Sequence, residues 1–252
     1  MDRLIVAKQA AVEAGVFLRK QFRKPLIVDE KRFYDDVVSS ADHESEKIIL
    51  HRIGEIFPKD GILCEESGHV QEGEYTWVID PLDGSINYVN GIPYCAISIA
   101  VVYEQMPVIG VIYQPFFDEL FWAQKGKGAW FANTRLRVHD RPLKEGVVGI
   151  DFGREKKEEI AGWVERFSTR CRYVRVNGSA ALALTEVAQG WTQGYLQNTL
   201  YPWDAAAGAL IVKEAGGVTT NLEGKPWSIF DPYLIAGSSK RTHQKILREI
   251  CT

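Results

Sequence analysis

The segment Trp203-Asp204-Ala205-Ala206-Ala207-Gly208-Ala209-Leu210-Ile211-Val212 constrains the fold more than any other stretch of this chain. From Ala205 onward it is apolar on every helical face, and a helix with no polar face has to be surrounded by protein. It is less than half of what a membrane span requires, as is the other long apolar stretch, Cys95 to Tyr103, so the helix must enter a core and not a bilayer. Gly216-Gly217 ends it. The rest of the chain is long enough to surround it, because 252 residues bury roughly 70–75% of the surface that the unfolded form exposes.

Charge and composition exclude several functions. The chain has 30 Lys and Arg against 33 Asp and Glu, a formal net charge of -3, which leaves no broad electropositive face for a polyanion. Neither a nucleic acid polymer nor a membrane is an expected partner. Met1-Asp2-Arg3 leads directly into an amphipathic pattern broken by Lys8, Glu13 and Arg19, with no apolar signal core, so the expected compartment is the cytoplasm. Cys64, Cys95, Cys171 and Cys251 are scattered, without a CxxC pair or zinc-spaced histidines, and read as reduced, mostly buried thiols.

Leu4, Ala7, Ala11, Ala14, Leu18 and Phe22 recur at helical steps and predict a helix ending near Lys24-Pro25. Asp42 opens a second one, with Ile49, Ile53, Ile56 and Phe57 as its buried stripe and Glu44 and Glu46 in the first turn, where the helix dipole favours negative charge. The period then changes to strands at Trp77-Val78-Ile79, Ala96 to Tyr103, Val108 to Tyr113 and Leu120 to Ala123, with Glu104-Gln105-Met106-Pro107 as a hairpin connection. Beyond Arg141-Pro142 strands and helices alternate: Val147 to Ile150, Glu155 to Phe167, Arg172 to Val176, Ser179 to Gln189, Gly194 to Leu196, Ala205 to Ala215, then strands near Val218 and Leu234. Taken element by element, the pattern yields two helical layers and two sheets. An α+β half, 1–140, and an α/β half, 141–252, are expected to pack as one compact unit, with the weakest joint at 134–146.

The chemistry concentrates at Asp80-Pro81-Leu82-Asp83-Gly84-Ser85, directly after the apolar Trp77-Val78-Ile79. Two carboxylates three residues apart at the end of a buried strand repel one another unless a cation lies between them, and a hard divalent ion is the usual solution. Gly84 allows close backbone approach, and Ser85 could begin a short helix whose N–H groups point at an anion. Taken alone, the segment fits equally an Asp-rich turn whose side chains bond nearby backbone. Glu65-Glu66 after Ile62-Leu63-Cys64 could reach the same site, and Asp204 at the head of the buried helix is a fourth candidate; singly, these read as a solvated charge and an N-cap.

The combination resembles the inositol monophosphatase family, within the magnesium-dependent, lithium-sensitive sugar and nucleotide phosphatases. The resemblance spans nearly the whole chain and rests on Asp80-Pro81-Leu82-Asp83-Gly84-Ser85-Ile86-Asn87-Tyr88 and Trp203-Asp204-Ala205-Ala206-Ala207-Gly208, with Glu65-Glu66-Ser67 and Gly216-Gly217 in the expected order. It implies an α/β fold, a five-layer α-β-α-β-α sandwich of the sugar phosphatase type, and a homodimer. By the same resemblance, a first Mg2+ sits on Glu65, Asp80 and the Leu82 carbonyl and a second on Asp80, Asp83 and Asp204, with a third, weaker ion near Glu65 and Mn2+ as a substitute. The attacking water is oriented by Ser85 Oγ, itself bonded to Asp42, while Gly84 and Ser85 N–H groups hold phosphate oxygens. Asp42, in the family pattern Ser39-Ser40-Ala41-Asp42, is also the expected N-cap of the second helix. Lys31 stands where the family has a lysine near the site, and Gly178-Ser179-Ala180 matches the wall against the leaving alcohol.

Two departures bear on substrate choice. Inositol-selective members carry a glutamate seven residues before the tryptophan-linked aspartate, where this chain has Gln197, and Arg154 follows Asp151-Phe152-Gly153 near the wall. The resulting expectation is a phosphomonoesterase acting on a small polyol or sugar phosphate such as inositol-1-phosphate. Fructose-1,6-bisphosphate is expected to be hydrolysed at least comparably, with Arg154 pairing its second phosphate. The alternatives are a fructose-1,6-bisphosphatase, a 3′-phosphoadenosine-5′-phosphate phosphatase, or, in a different class, a regulatory protein that binds phosphate ligands without turnover. The five histidines show no ligand spacing, and Lys125-Gly126-Lys127-Gly128 lacks the Walker pattern and reads as a turn.

Overall fold

The computed structural model describes residues 2–30, 37–153 and 155–250. Lys31, Arg154 and Cys251 lie outside the described residues. Among those described, no helix is long and apolar enough to cross a membrane.

Helix α1 (Arg3–Gln21), capped by Asp2, turns Leu4, Ala7, Ala11, Ala14 and Leu18 inward, as its spacing predicts. A short antiparallel pair, β1 (Val28–Glu30) and β2 (Val37–Ser39), leads into α2 (Ser40–Ile56). Ser39, and not Asp42, is the N-cap of α2. Asp42 lies one turn further in and closes a capping box by accepting hydrogen bonds from Ser39 N at 2.8 Å and Ser39 Oγ at 2.7 Å. The next elements are β3 (Gly61–Cys64), β4 (Gly68–Gln71), β5 (Tyr75–Asp83), α3 (Ser85–Val89), β6 (Ala96–Tyr103), β7 (Met106–Gln114), β8 (Glu119–Gln124), β9 (Gly128–Phe131) and β10 (Thr134–Arg135). They build an eight-stranded sheet in the order β10-β9-β8-β7-β6-β5-β3-β4, antiparallel except where β3 runs parallel to β5. The predicted hairpin between β6 and β7 turns on Glu104 and Gln105, at φ 48° and 60°, a two-residue turn that matches the twist of its strands. The Lys125-Gly126-Lys127 segment is likewise a turn, and the N–H groups of Gly126 and Gly128 donate to the Glu214 carboxylate.

The second half contributes β11 (Val147–Ile150), α4 (Lys157–Ser168), β12 (Tyr173–Arg175), α5 (Ala180–Ala188), β13 (Gly194–Gln197), α6 (Pro202–Glu214), β14 (Val218–Thr220), β15 (Leu234–Gly237) and α7 (Lys240–Ile250). Its five strands are ordered β12-β11-β13-β15-β14, parallel from β12 to β13 and antiparallel beyond. Helices α1 and α2 cover one face of the large sheet, α5 and α6 lie between the two sheets, and α4 and α7 cover the outer face of the small one. This is a five-layer α-β-α-β-α sandwich. It has three helical layers where the element-by-element reading found two. The helix that reading lacks is α7, where the buried positions are Thr242, His243 and Ile246 amid charged residues, too thin an apolar stripe to read from periodicity.

The apolar helix is α6, and from Asp204 to Val212 it is buried, on the large sheet along one side and against α5 along another. Each fully buried Leu, Ile or Val here contributes about 1.5–3 kcal/mol. Its closeness to the sheet depends on Gly110 of β7, where a Cβ would lie 2.6 Å from the Ala207 carbonyl oxygen. Because α6 is pressed onto the sheet, its N-terminus opens beside the carboxyl end of β5.

Candidate active site

β3 and β5 are parallel neighbours, so the residues that follow them emerge side by side, and Glu65 N donates to the Ile79 carbonyl at 3.1 Å. Against β6, Asp80 faces Ser98 but Asp83 faces Ala96, which leaves β5 one residue longer than its partner. This is a β-bulge, and Pro81, which has no N–H to give to the ladder, sits within it. The bulge brings Asp80 and Asp83, both buried, to the mouth of a pocket of about 190 Å³. Gly84 then takes φ 87°, a conformation disfavoured for residues with a Cβ, and α3 starts at Ser85. Asp204 arrives from the middle layer, in the first turn of α6, with Oδ2 accepting from Tyr201 N at 2.7 Å.

Glu65, Asp80, Leu82, Asp83, Gly84, Ser85, Gly178, Ser179, Ala180, Gln197 and Asp204 all line this one pocket. Asp42 stands behind it, 1% exposed, with Ser85 Oγ 2.8 Å from Asp42 Oδ1 and 2.8 Å from the Leu82 carbonyl oxygen. Capping and contact with Ser85 are thus compatible, since each uses a different oxygen of Asp42. The N-terminus of α5 meets Asp83: Ala180 N and Ala181 N donate to it at 3.2 and 3.0 Å, as does the Ser179 hydroxyl.

Asp151 is the acid whose place in the pocket the sequence reading did not assign. Its Oδ1 accepts from Asn177 N at 2.7 Å and Gly178 N at 2.8 Å, and its Oδ2 lies 3.2 Å from the Tyr195 hydroxyl, which also contacts Gln197 Oε1. A signal existed: Asp151 follows the buried strand β11 just as Glu65 follows β3. Ile86, Asn87, Phe152, Gly153 and Thr199 complete the lining.

The electrostatics are those of crowded acids. Burial holds the Asp80 carboxyl well above the usual carboxylate range, and Glu65, Asp83 and Asp204 raise it further against one hydrogen bond from Leu82 N. Asp83 is pushed up to about 8, first by burial and then by Asp204 and Asp151, against the Ser179 hydroxyl and Ala181 N. Asp42 and Asp151 are also raised by burial, opposed by their hydrogen bonds. Among the described residues no Lys or Arg lines the pocket. Nor do three of their Asp, Glu, His or Cys side chains by themselves converge into a ring around one point, since Asp80, Asp83 and Asp204 each accept bonds from nearby backbone. The donor set nonetheless fits a hard divalent cation: all oxygen, several carboxylates and a carbonyl, mutually repulsive, with no cation among the described lining residues.

A sandwich of this kind, with acids at strand ends on one side of the pocket and helix N-termini on the other, defines a metal-dependent hydrolase of phosphate esters. The model of the inositol monophosphatase family matches residues 2–252. A fructose-1,6-bisphosphatase/inositol-1-monophosphatase of Aquifex aeolicus is 38% identical over 251 residues, 97% of this chain and 94% of that protein. The solved IMPase of Thermotoga maritima superposes with a TM-score of 0.93 at 32% identity, covering 100% of this chain and 97% of its own. A Nus factor SuhB of Vibrio cholerae is 35% identical over 254 residues, 98% of this chain and 95% of that protein. The chain belongs to the inositol monophosphatase family and is a phosphatase.

Proposed function

We propose that this phosphatase hydrolyses a small polyol or sugar monoester, such as inositol-1-phosphate, with magnesium. The observation that carries the reading is one pocket in which Glu65, Asp80, Asp83 and Asp204 meet Ser85, with no Lys or Arg among the described residues that line it. Glu65, Asp80, Asp83, Asp204 and the Leu82 carbonyl would hold two or three Mg2+, or Mn2+, which supply charge neutralisation and a more acidic water. Asp42 fixes the Ser85 hydroxyl, so that its remaining lone pair can orient the attacking water. Gly84 and Ser85 N–H groups hold phosphate oxygens, and no covalent phosphoenzyme is formed. Asp151 stiffens the wall at Gly178 by taking its N–H, and Gln197, backed by Tyr195, faces the leaving alcohol.

The second reading is bisphosphate hydrolysis, favoured by the name of the Aquifex relative and by Gln197 in place of a charged acid. Arg154 would pair the second phosphate. A reading of a different class is a regulatory protein that binds phosphate ligands without turnover, and one relative is named a Nus factor. Lithium inhibition at millimolar levels, a cytoplasmic homodimer, and halves 1–140 and 141–252 acting as one unit complete the proposal. Free, buried Cys64, Cys95 and Cys171 agree with a reducing compartment. The deciding experiment is phosphate release from inositol-1-phosphate, fructose-1,6-bisphosphate and 3′-phosphoadenosine-5′-phosphate, with magnesium and with excess chelator. Release from the first two at comparable kcat/KM, abolished by chelation, is expected; release that survives metal stripping overturns the mechanism.

A further inference from the structure

A helix lying on a sheet normally turns an apolar stripe inward. In its C-terminal half α2 does so, with Ile49 and Ile53 fully buried. In its first two turns the inward face instead carries Asp42, Ser45 and Glu46, all buried, following the buried cap Ser39. Glu46, expected in the first turn of α2, lies in its second turn and is buried. Polar groups in such a place cost stability unless they are bonded, and each of these three is bonded to a different segment at the site. Asp42 takes Ser85, as described. The Ser45 hydroxyl donates to the Pro81 carbonyl, inside the bulge, at 2.7 Å. Glu46 Oε2 accepts from Glu66 N at 3.1 Å and Ser67 N at 3.4 Å, and its Oε1 accepts from the Ser67 hydroxyl.

We infer that Glu46 is a positioning residue of the hydrolytic site: it holds the turn after β3 so that Glu65 stays at the pocket, and with Asp42 and Ser45 it makes α2 the common mount of that turn, the β5 bulge and the start of α3. Glu46 does not itself line the pocket. It acts through Glu66 and Ser67. The inference rests on the proposed role of Glu65 as an ion ligand.

The test uses the full chain with Glu46→Ala, Glu46→Gln, the exposed Glu44→Gln as a control on the same helix, and Glu65→Gln. Amide exchange by mass spectrometry is followed in metal-free protein, and phosphate release from inositol-1-phosphate across a magnesium titration. In Glu46→Ala the Glu66 and Ser67 amides should exchange at least about tenfold faster while α1 and α6 keep wild-type protection. Its kcat should fall, and its half-saturating magnesium rise, by about 10–100-fold, the usual effect of removing a group that orients a ligand. Glu46→Gln, which keeps its volume and one acceptor oxygen, should show the same pattern at smaller amplitude, about threefold or more. Glu44→Gln should match wild type.

Unchanged exchange at Glu66 and Ser67 in Glu46→Ala overturns the inference, and so does faster exchange across the whole chain. If Glu46→Ala does not fold, Glu46→Gln decides alone, and wild-type exchange and magnesium half-saturation in that variant overturn it. Undiminished release by Glu65→Gln sinks the ligand role of Glu65 instead, and none by wild type sinks inositol-1-phosphate as substrate. The exchange data then still decide whether Glu46 holds the turn.

Discussion

On the proposed ligand set, magnesium and protons compete for the same oxygens, and the burial of Asp83 sets the size of that competition. In the metal-free fold burial, aided by Asp204, pushes Asp83 up to about 8. An ion that must displace this proton has its apparent affinity divided by 1 + 10^(8−pH), so its dissociation constant is expected to rise about 50-fold from pH 8 to pH 6, or about 2.3 kcal/mol. Asp80, also raised, can only steepen this slope. Stability should follow with a definite sign. The folded pKa of Asp83 lies above its ordinary value of 3.8, so the contribution of this group to metal-free stability is complete below about pH 4 and is lost as pH rises through about 8. Saturating magnesium should remove that loss. Calorimetric titration of metal-free protein at pH 6, 7, 8 and 9, in two buffers of different ionisation heat, reads both the affinity and the protons released. Asp83→Asn should flatten the dependence between pH 6 and 8, with the fold intact by circular dichroism. A dissociation constant that is constant, or that tightens toward acid, would refute the assignment of Asp83 as a ligand.

Ser85→Ala removes a hydroxyl held by both Asp42 and Leu82, and kcat for phosphate release should fall about 10²–10⁴-fold. Release within about threefold of wild type would show that water is oriented otherwise. Gly84→Ala forces a Cβ to within 3.1 Å of the carbonyl oxygens of Gly178 and Tyr94 at φ 87°; a stability loss of about 1–3 kcal/mol is expected in urea melts, together with lower activity. Gly110→Ala pushes α6 off the sheet and should cost about 1–3 kcal/mol, read as a lower urea midpoint.

The acids were legible in the sequence because each follows a buried strand or opens a buried helix, patterns that survive without any knowledge of tertiary contacts. The apolar run of α6 announced the middle layer for the same reason. The outer helical layer was only half legible: the pattern over 155–167 gives α4, whereas α7 buries Thr242 and His243 beside Ile246 and its stripe is made mostly of polar residues. Ser45 and Glu46 escaped because burial of a polar residue depends on what comes to meet it, here the Pro81 carbonyl and the Glu66 and Ser67 amides from distant turns. The sequence offers Asp42 as N-cap or as catalytic partner; the cap is Ser39, and Asp42 bonds that cap with one oxygen and the Ser85 hydroxyl with the other.

The pocket is assembled from both sheets and from the helices between them, parts that share little covalent neighbourhood. Glu65, Asp80 and Asp83 hang from the large sheet, whereas Asp151 and Gln197 hang from the small one, with Gly178 and Ser179 leading into α5. Inheritance can therefore treat the two sides separately. Change at Asp151, Phe152, Gln197 or Thr199 would reshape one wall of the pocket, the wall proposed to face the alcohol, while the acids opposite keep their mounts on β3, β5 and α6. An ancestor with this architecture could diversify its diet of esters by rewriting one wall, without rediscovering hydrolysis each time.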